Sequence, residues 1–327
     1  MVSKMRIGLI GPLPPPSGGM ANQTLQLHDL LESEGLNVSL LQTNLPYKPV
    51  WVAKIPLLRA LFRLVSYVLK LCVFTKQVDV IHLMANSGWS WHLFATPAVW
   101  IAKVRHVPVV INYRGGKAEE FLNSSLRTVK PTLNASAKII VPSKFLNTVF
   151  SKFGIETSII SNIIDISRFK KDDSKINRSQ GPHILVARNL EKIYDNAMAI
   201  HAFNEVLKHY PTATMTIAGT GPEKNNLTEL VNQLSLEDKV IFTGRVDRTK
   251  MPSLYQSADV MLNPSQVDNM PNSILEALAS SVPVVSTNVG GIPYMVDHEK
   301  NVLLVNSQDY HAMADEVCRV LSLSLIH

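Results

Sequence analysis

The chain has 327 residues, 46% hydrophobic and 18% charged, with 15 glycines, 19 prolines and two cysteines. This length suits two domains, each able to bury its own core, and the composition excludes a disordered tail, a collagen-like repeat and a coiled coil. Cys72 and Cys318 cannot build a disulfide framework or a structural zinc site, which points to a reducing compartment. The formal charge of +6 is unevenly spread: residues 1–168 carry 18 Lys and Arg against 8 Asp and Glu, and residues 169–327 carry 14 against 18. A basic half suits nucleic acid, an anionic membrane or phosphorylated substrates. No helix-turn-helix, zinc-finger or RNA-binding signature accompanies it, so nucleic acid is set aside.

The first ten residues hold a short apolar run that stops at Gly11-Pro12, a first strand rather than a signal peptide. From there short apolar runs alternate with longer segments of helical period, which predicts an α/β fold with parallel sheets. The strands expected in the first half are Arg6–Ile10, Val38–Gln42, Val80–Leu83, Val107–Asn112, Lys138–Val141 and Ser158–Ile160. The second half repeats the plan with His183–Ala187, Thr214–Ala218, Val240–Thr243, Val260–Leu262, Val284–Ser286 and Val302–Val305. A polar stretch from Lys170 to Gly181-Pro182 reads as a linker, so residues 1–170 and 180–318 are expected as two doubly wound, Rossmann-like domains facing across a cleft. Residues 319–327, ending Leu-Ser-Leu-Ile-His, read as a tail where the reading frame was cut short.

Residues 55–75 are mostly apolar, but Arg59, Arg63, Ser66 and Lys70 fall on one stripe of a helix, which disfavours a membrane span. Two readings stand: a helix lying in the interface of an anionic membrane, or a domain helix packed on its sheet with the stripe facing water.

The loop Gly11-Pro12-Leu13-Pro14-Pro15-Pro16-Ser17-Gly18-Gly19 is stiffened by proline. Gly18 and Gly19 let backbone approach a ligand just before a helix start, or simply make a rigid turn. It lacks the G-x-G-x-x-G spacing of a dinucleotide site. Gly219 and Gly221, ahead of Pro222, suit a tight strand-to-helix turn with or without a ligand, as does Gly290-Gly291. The segment Asn263–Leu278 is more informative. Pro271 marks a helix start, so the amides near Asn272 and Ser273 suit a phosphate, with Asp268 before that helix and Glu276 one turn inside it. Two such carboxylates suit two groups of hydroxyls, such as a sugar and a ribose. A capping Asp and a surface Glu are the alternative, although Glu276 lies among apolar residues where a carboxylate needs a partner.

These stretches, with Val141-Pro142-Ser143, Ser161-Asn162-Ile163-Ile164-Asp165, Arg168-Phe169, Phe242-Thr243-Gly244, Pro264-Ser265, Leu275-Glu276-Ala277, Val282-Pro283-Val284-Val285 and Gly290-Gly291-Ile292-Pro293, resemble the nucleotide-binding domain of family 4 glycosyltransferases over residues 138–306. The first half resembles that family more weakly, at Gly18-Gly19 and Asp79-Val80-Ile81-His82. The resemblance implies a GT-B fold and retaining transfer from a nucleotide-sugar to a glycan or lipid-linked acceptor. It implies no metal and no cofactor, the nucleotide-sugar being a substrate. The donor would lie in the second domain against Gly219, Gly221, Asn269, Met270, Asn272 and Ser273, with Glu276 on the ribose and Asp268 on the donor sugar. Arg188 would meet the leaving diphosphate. The lysine expected beside it aligns with Tyr194, which leaves Lys192 as a shifted substitute.

Asp268 is one methylene shorter than the family's usual glutamate. In the acceptor domain, with Gly18 and Gly19, His82 is either a catalytic residue or a packed strand-end histidine, and Arg114 replaces a usual histidine where it would meet a phosphate-bearing acceptor. The enzyme is expected on the cytoplasmic side, peripheral on the inner face of the plasma membrane. Two alternatives remain: a nucleotide-sugar 2-epimerase of the same fold, and a sugar-nucleotide-binding protein without turnover.

Overall fold

The apolar runs of both halves are strands, buried most fully in the central ones, and such strands pair in parallel beneath helices. The structure, a computed structural model, describes residues 5–14, 18–44, 56–169 and 181–324. Residues 15–17 of the proline loop, linker residues 170–180, the last three residues and the side chains of 56–62, Arg59 included, lie outside the described part. In the first half β1 (Arg6–Gly11), β2 (Asn37–Gln42), β3 (Val80–Ala85), β4 (Val109–Tyr113), β5 (Lys138–Val141) and β6 (Ser158–Ile159) form one parallel sheet in the order β2-β1-β3-β4-β5-β6. In the second, β7 (His183–Ala187), β8 (Thr214–Ala218), β9 (Val240–Gly244), β10 (Val260–Asn263), β11 (Val284–Thr287) and β12 (Leu303–Val305) form another, ordered β12-β11-β10-β7-β8-β9.

The helices are α1 (Gly19–Ser33), α2 (Pro56–Phe74), α3 (Thr96–Val104), α4 (Ala118–Ala135), α5 (Lys144–Lys152), α6 (Asn196–Val206), α7 (Lys224–Gln233), α8 (Met251–Gln256), α9 (Asn272–Ala279) and α10 (Tyr310–Ser324). Strand order reverses between β1 and β3 in the first sheet and between β7 and β10 in the second. Ligands of doubly wound sheets bind outside the carboxyl ends of strands at such a reversal.

The chain divides into two compact units, Met1–Ile163 and Ile164–His327. The division falls before the linker because Ile164 and Phe169 pack with the second unit, Phe169 standing edge-on to Tyr255 at 5.9 Å. Residues 319–324, read above as tail, continue α10, and Val320 and Leu321 are buried in the core of that unit with Met313 and Val317.

Helix α2 differs from its sequence reading. Tyr67, Leu71 and Phe74 turn into the first core, and Gly8 of β1 leaves room for the Phe74 ring. Arg63 and Ser66 are half-buried, whereas Val65, Leu69 and Val73 stand exposed beside Lys70. The outward stripe is therefore apolar, because the sheet takes the aromatic side of the helix. Among the described residues no helix is long and apolar enough to cross a membrane.

Phe203 of α6 is fully buried in the second core. Phe203→Ala is expected to cost about 3–5 kcal/mol, as for other buried aromatic truncations. Urea unfolding followed by circular dichroism checks this, and an unchanged midpoint would refute it.

Candidate active site

Arg188 follows the last residue of β7 and Asp268 lies beyond the end of β10, on either side of the strand-order reversal in the second sheet. Arg188 Nη2 donates to Asp268 Oδ2. The other carboxylate oxygen accepts from the Asn269 N–H at 2.8 Å. The side chains are only 11% and 14% exposed, so the pair is substantially desolvated, and losing either partner would strand a buried charge. Tyr194 lays its ring 4.1 Å from the guanidinium carbon, and Ser273 Oγ accepts from Arg188 Nη1 at 3.5 Å. Asp268 is thus an ion-pair partner and not the helix cap; Pro271 occupies the α9 cap position.

Four glycines allow these loops to meet. A Cβ at Gly219 would overlap the Arg188 carbonyl oxygen, and one at Gly221 the Leu190 carbonyl oxygen. On the other loop a Cβ at Gly290 would strike the Asp268 carbonyl and one at Gly291 the Asn269 carbonyl. Gly290 also adopts a φ of 55°, which favours glycine, and the Gly291 N–H donates to the Asp268 carbonyl at 2.8 Å. The α-carbons of Gly219 and Gly221 therefore face a neighbouring loop; close backbone packing accounts for both residues. Below Asp268 a buried network closes on itself: Asn263 Nδ2 donates to Ser286 Oγ at 3.0 Å, Ser265 Oγ to Asn263 Oδ1 at 3.1 Å, and Thr287 Oγ1 to the Ser265 carbonyl at 2.5 Å. Satisfied buried polar groups of this kind fix a loop in one arrangement.

Glu276, on α9, accepts a hydrogen bond from the hydroxyl of fully buried Tyr255 at 2.9 Å. Burial pushes its carboxyl up to about 7, against the opposing effects of the Tyr255 hydroxyl and the charges of Arg168 and Arg248. Asp268 and Glu276 sit in different surroundings, one salt-bridged and one held by a phenol. Tyr255 escaped the sequence reading because it lies 21 residues from Glu276 on another helix, and no spacing signals such a contact.

Lys192 is exposed on a single 3-10 turn, Lys192–Tyr194, and the side chain stacked on Arg188 is Tyr194. Asn269 and Ser273 are buried, while Met270 and Asn272 are half-buried beside them.

In the first unit His82 lies inside β3, not at its end, because the apolar run continues through Leu83-Met84-Ala85. Asn112 Nδ2 lies 3.0 Å from His82 Nε2. Burial, with the charge of Arg114, lowers its pKa to about 4, so the imidazole is neutral at pH 7. Arg114 donates to Asn162 Oδ1, and Gln23 of α1 bonds both the N–H and the carbonyl of Ile163. Gly18 and Gly19 border open space at the start of α1.

The second unit has a recognisable lineage. Residues 181–323 match the family described as Glycosyl transferases group 1. The second unit is a domain of that family. The chain is 28% identical over 204 residues, 60% of its length and 49% of the relative's, to N-acetyl-alpha-D-glucosaminyl L-malate synthase of Bacillus anthracis. It is 26% identical over 243 residues to alpha-monoglucosyldiacylglycerol synthase of Streptococcus pneumoniae, covering 67% of this chain and 53% of that one. The chain thus spans about half the length of these relatives. Among solved structures, Anabaena HepE in complex with UDP-glucose matches with a TM-score of 0.73, at 18% identity over 98% of this chain and 90% of that one. Sucrose-phosphate synthase of Thermosynechococcus elongatus matches with a TM-score of 0.75, at the same identity and coverage. That likeness is one of fold: two parallel α/β units in one chain, as in GT-B glycosyltransferases.

The raised carboxyl of Glu276 sets a sign for stability against pH. Below about pH 4 the group is protonated in both folded and unfolded chains and costs nothing. As pH rises towards about 7 the unfolded chain ionises first, so stability falls, by about 3 kcal/mol in all. Glu276→Gln is expected to remove most of that fall, measured as the unfolding free energy between pH 5 and 8. An unchanged slope would place Glu276 in water.

Proposed function

We propose that the protein is a retaining glycosyltransferase that moves a sugar from a nucleotide-sugar held by the second unit to a glycan or lipid-linked acceptor held by the first. The observation that carries this reading is the joining of Arg188 and Asp268 at the strand-order reversal of a group 1 glycosyl transferase domain. When the bond from the anomeric carbon to the diphosphate breaks, negative charge grows on the leaving oxygens, and a cation already in place there favours the transition state. Arg188 supplies that cation. Asp268 accepts from donor-sugar hydroxyls, and Glu276 from the ribose. The acceptor oxygen forms the new bond to the anomeric carbon and gives its proton to the departing diphosphate oxygen. The nucleotide-sugar is a substrate, and side chains carry the chemistry with no cofactor. The names of the relatives, one a synthase of a glucosaminyl malate and one of a glucosyl lipid, support transfer over epimerisation.

The experiment is a thermal-shift screen of UDP-, GDP- and ADP-sugars, since a ligand that binds the native state raises its melting temperature, followed by turnover with the sugar so found. Arg188→Ala is expected to lower turnover by roughly 10²–10³, the scale for removing a preorganised charge stabiliser. Full activity in a folded Arg188→Ala variant would remove the assignment.

The same reading places the enzyme on the cytoplasmic face of an anionic membrane. Val65, Leu69 and Val73 give α2 an exposed apolar stripe, with Lys70 and Lys76 exposed nearby. Each such lysine contributes about 1 kcal/mol close to an anionic surface. Leu69→Glu with Val73→Glu is expected to abolish sedimentation with phosphatidylglycerol vesicles at low salt while leaving the melting temperature unchanged. Undiminished sedimentation would exclude this helix as the contact.

A further inference from the structure

Arg188 is held from several directions, and one of its partners stands where the family resemblance leads one to expect a lysine. Tyr194 offers no positive charge. The Arg188 guanidinium carbon lies over its ring, 4.1 Å from the centroid, and burial raises its pKa above the ordinary phenol value, which keeps the ring neutral at physiological pH. A stacked ring occupies the face of a guanidinium and leaves the N–H groups in its plane free to meet oxygens. At the edge, Nη2 meets Asp268 and Nη1 meets Ser273, while the buried Nε–H has no acceptor among the described residues.

The turn that carries Tyr194 is tied to the loop that carries Asp268. Asp195 adopts a left-handed φ of 42° and accepts from the Met198 N–H at 3.3 Å and from Gln266 Nε2 at 2.9 Å. The Gln266 N–H in turn donates to the Ile193 carbonyl at 2.8 Å. The turn is thereby fixed by contacts that do not pass through the ion pair.

Asp268 already holds one hydrogen bond on each carboxylate oxygen. One oxygen accepts from Asn269 N–H and the other from Arg188. A donor-sugar hydroxyl that bonds Oδ2 shares that oxygen with the guanidinium and loosens its hold, and an arginine less tightly held by its carboxylate regains rotamer freedom. We propose that Tyr194 is a positioning residue whose ring face keeps the Arg188 guanidinium at the diphosphate position while Asp268 turns to the donor sugar. The inference rests on the roles given above to Arg188 and Asp268. It replaces a second cation by a restraint on the first.

The test compares nucleoside diphosphates with their monophosphates, using calorimetry on UDP, GDP and ADP against UMP, GMP and AMP. The wild-type chain is expected to prefer the diphosphate of at least one base. Tyr194→Leu, and Tyr194→Met as a second variant, are expected to weaken diphosphate binding roughly tenfold, the scale of a desolvated cation–π contact, with monophosphate binding within about twofold. Tyr194→Phe, which keeps the ring, is expected to restore the preference. Equal losses for mono- and diphosphate in variants of unchanged melting temperature would show a structural role and overturn the proposal. So would an undiminished diphosphate preference in Tyr194→Leu, which would leave the donor-site reading intact. A wild-type chain that binds none of the six nucleotides would overturn the donor-site reading and this proposal with it.

Discussion

The ion pair between Arg188 and Asp268 joins two loops 80 residues apart in sequence, and the loops at the carboxyl end of the second sheet are arranged around it. A largely desolvated pair is costly unless its geometry is held. Here the holding is done by backbone: Gly219 and Gly221 let the loop after β8 close on Arg188–Leu190, and Gly290 and Gly291 let the loop after β11 close on Asp268–Asn269. The Asn263–Ser265–Ser286–Thr287 network then fixes the root of the second loop from beneath. The charges sit at the surface of a buried polar scaffold whose parts are hydrogen-bonded.

The two carboxylates of the site are set apart by their neighbours. Asp268 faces a cation, whereas Glu276, half-buried, meets a phenol, with Arg168 and Arg248 acting on it electrostatically. With its pKa at about 7, the Glu276 carboxyl is partly protonated near neutral pH, and ionising it there costs stability. The first unit shows the same effect with the opposite pKa sign: His82, half-buried beside Arg114, is kept neutral. In each case desolvation is the largest cause, and nearby charge either opposes it or adds to it.

Much of this was legible beforehand. The twelve strands follow the apolar runs within about two residues at each end, since a parallel strand buried on both faces needs such a run. Asp268 and Glu276 stood out from their positions before and within the helix that Pro271 begins, and Arg188 from the family resemblance. The outward face of α2 was not legible. Its basic stripe implied water on one side, but the sheet took Tyr67, Leu71 and Phe74 and left Val65, Leu69 and Val73 outside. A helix with apolar residues on several faces does not announce which one the core will choose.

The sequence by itself determined the alternation of strand and helix, the two-unit α/β plan and the residue types at the carboxyl ends of β7 and β10. These are local properties, written in periodicity and turn chemistry. Only the tertiary structure decided that Tyr194 stacks on Arg188, that Tyr255 bonds Glu276, and that Gly219, Gly221, Gly290 and Gly291 serve close packing between loops. Those contacts join segments that are adjacent only after the sheet has formed. A spacing along the chain carries no record of them, because which loops meet is set by strand order in the sheet.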